Sequence, residues 1–397
     1  MRIAYVTTYD ARNVRNWSGI GYYMAESLKS DSFSLEHIGP LQQKDSRIIR
    51  AKKYLYHRVI KKRYLLDREP AVLKHYARQV TKQLRGLSAD AVFSPGSVPI
   101  ASLDCAQPIV FWTDATFAAM IDFYPSFRNL CAGSIKDGNK MECEALNRAS
   151  LAIYSSEWAA RSAIDDYGVD PRKVKVVPFG ANLNSVRTLN HVKASVDERT
   201  PTICKLLFIG VDWHRKGGDR ALKVAAELNR AGLKTELTVV GCEPPIENPR
   251  PSFLKTVGFL SKKTPEGEAA IARLLAESHF LILPCRAEAY GIVFCEAAAF
   301  GVPCIATAVG GIPTIIKDGL NGKTFSPSAG IEEYCAYIVS FFANFKRYKQ
   351  LALSSFNEYQ SRLNWNVAGK TVMNLVREVV SEARPLNSID SLCAVRA

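Results

Sequence analysis

The stretch FLILPCRAEAYGIVFCEAAAFGVP, residues 280–303, indicates a strand, a loop and a helix in close succession. Its apolar start, Phe280–Pro284, predicts a buried strand, and the small residues after the loop predict a helix that ends at Gly301-Val-Pro303. Glu288 lies in the loop and Glu296 lies on the helix. A strand that passes through a short loop into a helix is the repeating unit of a parallel α/β sheet.

The start of this helix predicts a site for an anion such as a diphosphate. The N–H groups of about Ile292 and Val293 have no partner within the helix and point back toward the loop. Carboxylates beside a phosphate bind it poorly, but they suit the hydroxyl groups of a sugar attached to it. We therefore expect Glu288 and Glu296 to bind sugars. Two surface charges are the alternative, which is disfavoured because Glu296 lies among apolar residues.

The same alternation covers the chain and predicts two domains. A chain of 397 residues exceeds what one hydrophobic core normally supports. We expect α/β architecture with two doubly wound, Rossmann-like domains that face a central cleft, since ligands bind beyond the carboxyl ends of parallel strands. The predicted divisions are residues 1–185, a polar linker at 186–200, residues 201–363, and a helix within 364–397 that crosses back to the first domain.

The strands predicted from apolar runs fall into two series. They are Ile3–Thr7, Ser34–Ile38, Ala91–Phe93, Ile109–Trp112, Leu151–Ser155 and Lys175–Pro178, then Leu206–Gly210, Glu236–Gly241, Thr256–Leu260, Phe280–Pro284 and Cys304–Thr307.

Composition limits the class of protein. The hydrophobic fraction of 47% and the charged fraction of 23% are typical of a folded globular chain. No window has the ~20 uninterrupted apolar residues that a membrane span needs. The start of the chain, Met1–Val6, predicts a strand and not a signal peptide. The ten cysteines form no C-x-x-C pair, which predicts a reducing, cytoplasmic location and no structural metal.

The net charge of +14 is unevenly distributed. Residues 44–85 are rich in Lys and Arg, with apolar residues between them at roughly helical spacing. Such a segment is expected either to lie on an anionic membrane surface or to be a solvated helix that packs its apolar stripe on its own domain. An anionic glycan is a further candidate partner. Nucleic acid is disfavoured, because no nucleic-acid-binding motif accompanies the charge.

Three further positions are candidates for ligand contacts. Gly19 and Gly21 follow the first predicted strand and allow close approach to a phosphate, although a tight turn explains them equally well. Arg215 and Lys216 precede a helix, where cations are unfavourable unless an anion binds between them; the alternative is ordinary surface cations. Asp114 ends an apolar strand and either faces the cleft or caps the next helix.

These motifs together resemble a known family. The pattern Glu288-x7-Glu296 with Tyr290-Gly291, followed by Gly301-Val-Pro303 and Gly310-Gly-Ile-Pro313, resembles the retaining GT-B glycosyltransferases with the E-x7-E motif (glycosyl transferases group 1). That family includes phosphatidylinositol mannosyltransferases, bacterial polysaccharide glycosyltransferases and sucrose synthases. The remaining matches follow the family's order over nearly the whole chain: Gly19-x-Gly21, Tyr154-Ser-Ser-Glu157, Val176-Val-Pro-Phe-Gly180 and Arg215-Lys216-Gly217.

The resemblance implies site residues. Glu288 would contact the donor sugar near the reaction centre, Glu296 the ribose, and Lys216 with Arg215 the diphosphate, so that charge on the leaving nucleoside diphosphate is stabilised. The remaining implied donor contacts are the Gly19–Gly21 loop, Tyr290, Gly291, Ile292, Val293 and, beside the nucleobase, Leu260. No metal or other cofactor is expected.

The chain departs from the family pattern at three places. Val211 follows Gly210 where the family often has Arg, so diphosphate binding is expected to depend more on Arg215 and Lys216. Asp114 lies in the region where the family often has a His near the anomeric carbon, so Asp114 is expected to replace that His as a catalytic residue. Thr314 replaces a common Glu after Gly-Gly-Ile-Pro.

The resemblance implies a retaining hexosyltransferase, of mannosyl or glucosyl type. It would use a nucleoside-diphosphate sugar and a glycan or lipid-linked acceptor in surface polysaccharide or glycolipid synthesis. A GT-B nucleotide-sugar epimerase and a non-catalytic nucleotide-sugar-binding protein are the alternatives.

Overall fold

A computed structural model describes residues 1–44, 46–184, 187–246 and 249–383. It contains two parallel six-stranded sheets. In the first, the strand order is β2-β1-β3-β4-β5-β6. These strands are β1 Arg2–Val6, β2 Ser34–Ile38, β3 Ala91–Ser94, β4 Ile109–Thr113, β5 Leu151–Tyr154 and β6 Val174–Val176. The residues of β3, β4 and β5 are buried throughout, as expected of strands covered on both faces.

The second sheet repeats this architecture. Its strand order is β12-β11-β10-β7-β8-β9, again with every pair parallel. The strands are β7 Cys204–Ile209, β8 Thr235–Val240, β9 Leu254–Gly258, β10 Phe280–Leu283, β11 Cys304–Thr307 and β12 Gly322–Phe325. The predicted GT-B class, two doubly wound Rossmann-like domains, is therefore confirmed. β12 is additional to the predicted strands.

Helices connect and cover the strands. They are α1 Ile20–Ser27, α2 Arg47–Tyr54, α3 Pro70–Leu84, α4 Phe117–Met120, α5 Ala132–Arg148, α6 Glu157–Asp165, α7 Leu189–Glu198, α8 Gly218–Arg230, α9 Pro265–Glu277, α10 Ile292–Ala298, α11 Ile312–Ile315, α12 Ile331–Ala343, α13 Phe345–Arg362 and α14 Trp365–Ala383. Short 3₁₀ turns lie at Asn16–Gly19, Leu66–Arg68, Pro125–Phe127 and Pro171–Lys173, and a π-helix at Leu55–Ile60 extends α2. Within the described ranges, no helix is long and apolar enough to cross a bilayer.

The polar segment predicted as a linker contains the helix α7. Val192 and Val196 of α7 are buried, and α7 lies against α9 and α13 of the second half. At its end the buried guanidinium of Arg199 donates to the carbonyls of Ala276, Phe300 and Gly301 and to the hydroxyl of Tyr348. Neighbouring Ser185 and Val186 lie outside the described residues.

The last helix joins the two halves. α14 packs against α1, where Gly369 lies so close to the carbonyl of Ser27 that a Cβ would overlap it. Arg377 donates to the Ser32 hydroxyl over 2.9 Å. The helix therefore lies on the first α/β layer, and residues 384–397 lie outside the described ranges.

Aromatic rings fill the interface between the halves. Phe179, after β6, contacts the rings of Trp17, Trp112, Tyr290 and Trp365 at centroid distances of 5.1–5.7 Å. The Tyr290 hydroxyl donates to the Phe179 carbonyl over 2.7 Å. Residues from both halves thus share one apolar cluster.

The two sheets reverse their winding at defined points. In the first sheet the reversal lies between β1 and β3, and in the second it lies between β7 and β10. Ligands of doubly wound sheets bind beyond the carboxyl ends of the strands at such points. The loops after these four strands are therefore the places to look for a site.

Candidate active site

Lys216, Arg215 and Glu288 form a charged cluster at the reversal point of the second sheet. Lys216 and Arg215 follow β7, and Glu288 follows β10. The ammonium of Lys216 and the guanidinium of Arg215 both donate to Oε2 of Glu288, the latter over 3.0 Å. Lys216 and Glu288 are less than a tenth exposed. The cluster is therefore a buried ionic network, and the interpretation of Arg215 and Lys216 as ordinary surface cations does not fit it.

Glycines place Lys216 over the sheet. The Lys216 methylenes lie against Gly210, where a Cβ would come within 3.0 Å of Cγ. Gly217 has φ of +77° and lies against the Pro284 carbonyl, where a Cβ would overlap the backbone. A side chain at Gly217 would thus push this loop away from the end of β10. The two glycines allow the loops after β7 and β10 to meet.

A second glycine pair fixes the Glu288 loop. Gly310 and Gly311 lie against the carbonyls of Glu288 and Ala289, where Cβ atoms would overlap both. The N–H of Gly311 donates to Ala289 over 3.1 Å. The sequence motif Gly310-Gly-Ile-Pro313 therefore has a packing role, because it supports the backbone that carries Glu288.

The cluster is charged at neutral pH. Burial raises the pKa of Glu288, but the charges of Lys216 and Arg215 outweigh it, so the net pKa lies below the usual value. Burial lowers the pKa of Lys216, and Glu288 more than compensates, so that pKa is raised. Two cations share the buried Glu288 carboxylate, and Arg215 also lies 3.6 Å from the partly exposed carboxylate of Asp212.

Glu296 lies one turn into α10 and is 1% exposed. Its carboxylate accepts a hydrogen bond from the ammonium of Lys262, a contact that the sequence did not predict. Leu260 is half-buried and lies two residues after the end of β9, and Lys262 follows it in the same loop. Both residues therefore follow the carboxyl end of β9.

The residues between Glu288 and Glu296 have two different placements, at the start of α10 and in the interface between the halves. Gly291, with φ of +95°, precedes α10, and a Cβ at this position would lie 2.7 Å from the Phe294 ring and 3.3 Å from Cγ of Glu288. Ile292 and Val293 are the first residues of α10, as predicted. The side chain of Tyr290 instead is buried in the aromatic interface, with its hydroxyl bonded to Phe179. Its placement is that of a contact between the domains.

Asp114 faces this cluster from the first sheet. It follows β4 and is half-buried, and its charge interacts with Glu288. Burial raises the pKa of Asp114 to about 6, and the negative charge of Glu288 adds to the rise. The alternative interpretation as a helix cap is wrong, because Thr116 caps α4 by accepting from the N–H of Ala119.

Two more elements of the first half approach the cleft. The Gly19–Gly21 loop starts α1, with Gly19 at φ of +87° and the preceding Trp17 and Ser18 also left-handed. Gly21 lies under the Tyr9 ring, so that a Cβ would overlap the hydroxyl. Tyr124 places its ring 4.8 Å from the guanidinium carbon of Arg215. This contact spans the cleft and was not predicted.

A cavity of about 400 Å³ opens beside Asp114 at the reversal point of the first sheet. Its walls combine aromatic rings such as Phe117 with polar side chains, including Arg68 and Glu142. Glu142 accepts from the Ser97 hydroxyl over 2.7 Å, and burial raises its pKa to about 7. Aromatic walls with a few polar groups suit a hydroxyl-bearing molecule.

Two departures from the family pattern have visible consequences. Val211 is 68% exposed and, because it is uncharged, it adds no cation to the cluster. The hydroxyl of Thr314 accepts from the N–H of Glu157 over 3.0 Å, which joins α11 to the start of α6 in the first half.

Within the described ranges, no three His, Cys, Asp or Glu side chains are grouped so as to hold a metal ion.

Comparison with known proteins gives the same architecture. The chain is similar to sucrose-phosphate synthase from Thermosynechococcus elongatus, with 14% identity, a TM-score of 0.68, and 96% of this chain and 100% of that chain covered. It is similar to Anabaena HepE in complex with UDP, with 16% identity, a TM-score of 0.65, and coverages of 95% and 100%. The chain is also similar to a glycosyltransferase from Rickettsia africae, with 14% identity and a TM-score of 0.62. The match covers 98% of this chain and 99% of that chain. At these identities the likeness shows the fold.

No curated protein sequence matches the chain. Residues 204–344, in contrast, match the family model described as glycosyl transferases group 1. This range carries Lys216, Glu288 and Glu296. The resemblance to glycosyl transferases group 1 that the sequence motifs indicated is thereby confirmed for this range; the retaining mechanism stays a prediction.

Proposed function

We propose that the chain is a retaining glycosyltransferase, which moves a hexose-type sugar from a nucleoside-diphosphate sugar to a hydroxyl group of a glycan or lipid-linked acceptor. The observation that carries the proposal is the buried Lys216–Glu288–Arg215 cluster at the reversal point of a glycosyl transferases group 1 domain. It combines cations for a diphosphate with a carboxylate for sugar hydroxyls. HepE, a structural neighbour, is described in complexes with UDP, with UDP and glucose, and with UDP-glucose.

The donor would enter by exchange of partners. In the free protein, the Glu288 carboxylate forms ion pairs with both Lys216 and Arg215. A bound diphosphate takes over these cations, and the Glu288 carboxylate is then available to accept hydrogen bonds from donor-sugar hydroxyls. Glu296 would exchange Lys262 for the ribose hydroxyls in the same way, with the backbone near Leu260 beside the nucleobase. Both carboxylates are buried, so their hydrogen bonds form where water competes weakly.

The acceptor would occupy the cavity beside Asp114. Its hydroxyl attacks the anomeric carbon from the face that the diphosphate leaves. The bond from that carbon to the phosphate oxygen breaks, the new glycosidic bond forms, and the acceptor proton passes to the leaving phosphate oxygen. Lys216 and Arg215 stabilise the charge that develops on this oxygen. Asp114 would accept a hydrogen bond from a sugar or acceptor hydroxyl at the junction of cleft and cavity.

The test begins with donor binding. A thermal-shift series with UDP, GDP, ADP and dTDP and their sugar conjugates, without added metal, identifies the base. NMR spectroscopy of the product then gives its anomeric configuration, which should match that of the donor. Inversion of configuration would contradict the mechanism. Release of free sugar, or an epimer of the donor, without transfer to any acceptor would favour the epimerase alternative, and binding without turnover would favour a non-catalytic role.

A further inference from the structure

The first half carries a helix that is exposed on nearly all sides. It consists of α2 and the π-helix, residues 47–60, and is called the exposed basic helix here. Apolar side chains of this helix face solvent: Tyr54 is 67% exposed, Leu55 47%, Val59 65% and Ile60 47%. Contiguous exposed apolar residues of this size are uncommon on a soluble surface and mark interaction sites.

The four exposed apolar residues form one stripe. In a π-helix, hydrogen bonds run from residue i to residue i+5, so that residues five apart lie near one face. Tyr54 and Val59 are five apart, as are Leu55 and Ile60. The π-helix therefore brings the two pairs together on one side of the exposed basic helix.

Cations surround this stripe. From Ser46 to Arg63 the sequence has eight Lys and Arg residues and no Asp or Glu. At the end of the exposed basic helix, a shallow hollow is lined by His57, Arg58, Lys61, Lys62, Arg63 and Arg128. A stripe of apolar side chains with basic residues along its edges is complementary to a surface that is apolar inside and anionic outside.

Other contacts fix the exposed basic helix on its domain. Ile49 is buried, and the Lys52 ammonium donates to Glu69 over 2.8 Å. The rings of Tyr56 and Tyr64 stack at 5.4 Å. The sequence left open whether the apolar residues of this segment pack on their own domain. Ile49 does so, but the four residues of the stripe do not. The stripe therefore faces outward, while these contacts hold the helix on its domain.

We propose that the exposed basic helix docks the protein on an anionic lipid bilayer, with the apolar stripe inserted at the headgroup level and the basic hollow on lipid phosphates. A polyanion such as RNA would need the cations alone and would leave the aliphatic side chains of Val59 and Ile60 exposed. A bilayer accommodates both features.

The position of the exposed basic helix suits a lipid-linked substrate. The chain continues from Arg63 to Asp67 and Arg68, which line the cavity beside Asp114. Docking would therefore bring the membrane surface near the proposed acceptor cavity. The docking itself is independent of the proposed function, because vesicle binding is measured without donor, acceptor or turnover.

The test is co-sedimentation of the full chain with vesicles of phosphatidylcholine, with and without phosphatidylglycerol. Binding should require the anionic lipid and should weaken as salt rises. Val59→Ser/Ile60→Ser keeps the charge and should weaken binding about tenfold or more, because two inserted aliphatic side chains are lost. Lys61→Gln/Lys62→Gln should weaken it to a similar extent through the lost attraction to lipid phosphates.

The matched control is Arg78→Gln/Lys82→Gln, which removes the same charge from exposed positions of α3. It should bind vesicles nearly as well as the wild type. All variants should unfold at the wild-type temperature, because the changed side chains are exposed. Equal loss of binding in the control, or full binding by Val59→Ser/Ile60→Ser, would overturn the proposal in favour of general attraction between opposite charges. Absence of vesicle binding alongside tight binding of RNA or heparin would overturn it in favour of a polyanion site.

Discussion

Replacing Glu288 by Gln should destabilise the free protein and strengthen its response to a diphosphate. The substitution keeps the shape of the side chain and removes the charge that Lys216 and Arg215 share. Lys216 then remains buried without its carboxylate partner, and Arg215 keeps the longer, partly exposed ion pair with Asp212. A bound diphosphate supplies the missing negative charge, so it should stabilise the variant more than the wild type.

The expected magnitude follows from the geometry. Opposite charges 3.0 Å apart, as for Arg215 and Glu288, attract by about 5–6 kcal/mol at an effective dielectric constant of about 20. Loss of one partner from a buried pair costs about 3–5 kcal/mol. For a domain of about 150–250 residues, each kcal/mol lowers Tm by about 2–4 °C, which gives a fall of at least about 6 °C. Turnover should be lost as well, because the amide that replaces the carboxylate carries no charge.

The assay is thermal unfolding with and without inorganic pyrophosphate, which requires no knowledge of the base. Asp219→Asn is the control, because it breaks an exposed ion pair with Arg286 near the same loop and should cost at most about 1 kcal/mol.

The folded-state pKa of Glu288 lies below its ordinary value of 4.5, so its stabilisation is present above that pH and is lost as pH falls. The deficit of the variant should shrink in acid. A Glu288→Gln protein as stable as the control, with an unchanged pyrophosphate shift, would refute the reasoning.

Four further outcomes are expected. Glu296→Ala should weaken binding of the matching nucleoside diphosphate about tenfold or more by calorimetry, since hydrogen bonds to a charged group are lost; unchanged affinity would remove Glu296 from the donor site. Asp114→Asn should be more stable than the wild type at neutral pH in urea unfolding. The Asp114 carboxyl has a pKa of about 6 in the folded protein and 3.8 in the unfolded chain, so the wild type loses stability as pH rises between these values. The difference between variant and wild type should therefore vanish below about pH 4. Gly21→Ala should reduce donor affinity more than stability, because its Cβ would displace the Tyr9 ring. Arg199→Met should lower the free energy of unfolding by about 3 kcal/mol or more, since four buried acceptors lose their donor; a change within about 0.5 kcal/mol would contradict its structural role.

The sheets could be predicted because their strands are buried on both faces. Continuous apolar runs such as Phe280–Leu283 carry that signal without knowledge of the partner strand. β12 was missed, since Gly322–Phe325 is short and partly exposed at the edge of its sheet. α7 was missed because its buried face consists of two valines in a polar segment. Short elements with few buried residues leave little periodicity in the sequence.

The site was predicted in part for a related reason. Glu288 and Lys216 each follow an apolar strand, so sheet topology alone brings them to one edge. The contacts of Tyr124 with Arg215 and of Lys262 with Glu296 depend on how loops fold over the cleft. No local pattern marks them. The direction of the Tyr290 side chain was unpredictable for the same reason, because it depends on Phe179 in the other half.

The aromatic cluster between the halves also supplies an optical signal. Three of the five tryptophans, Trp17, Trp112 and Trp365, lie around Phe179 where the two halves meet. Any rotation of one half against the other changes the surroundings of these indoles together. Intrinsic fluorescence at an excitation wavelength selective for tryptophan would therefore follow domain closure in real time, on the unlabelled protein, as a donor is mixed in.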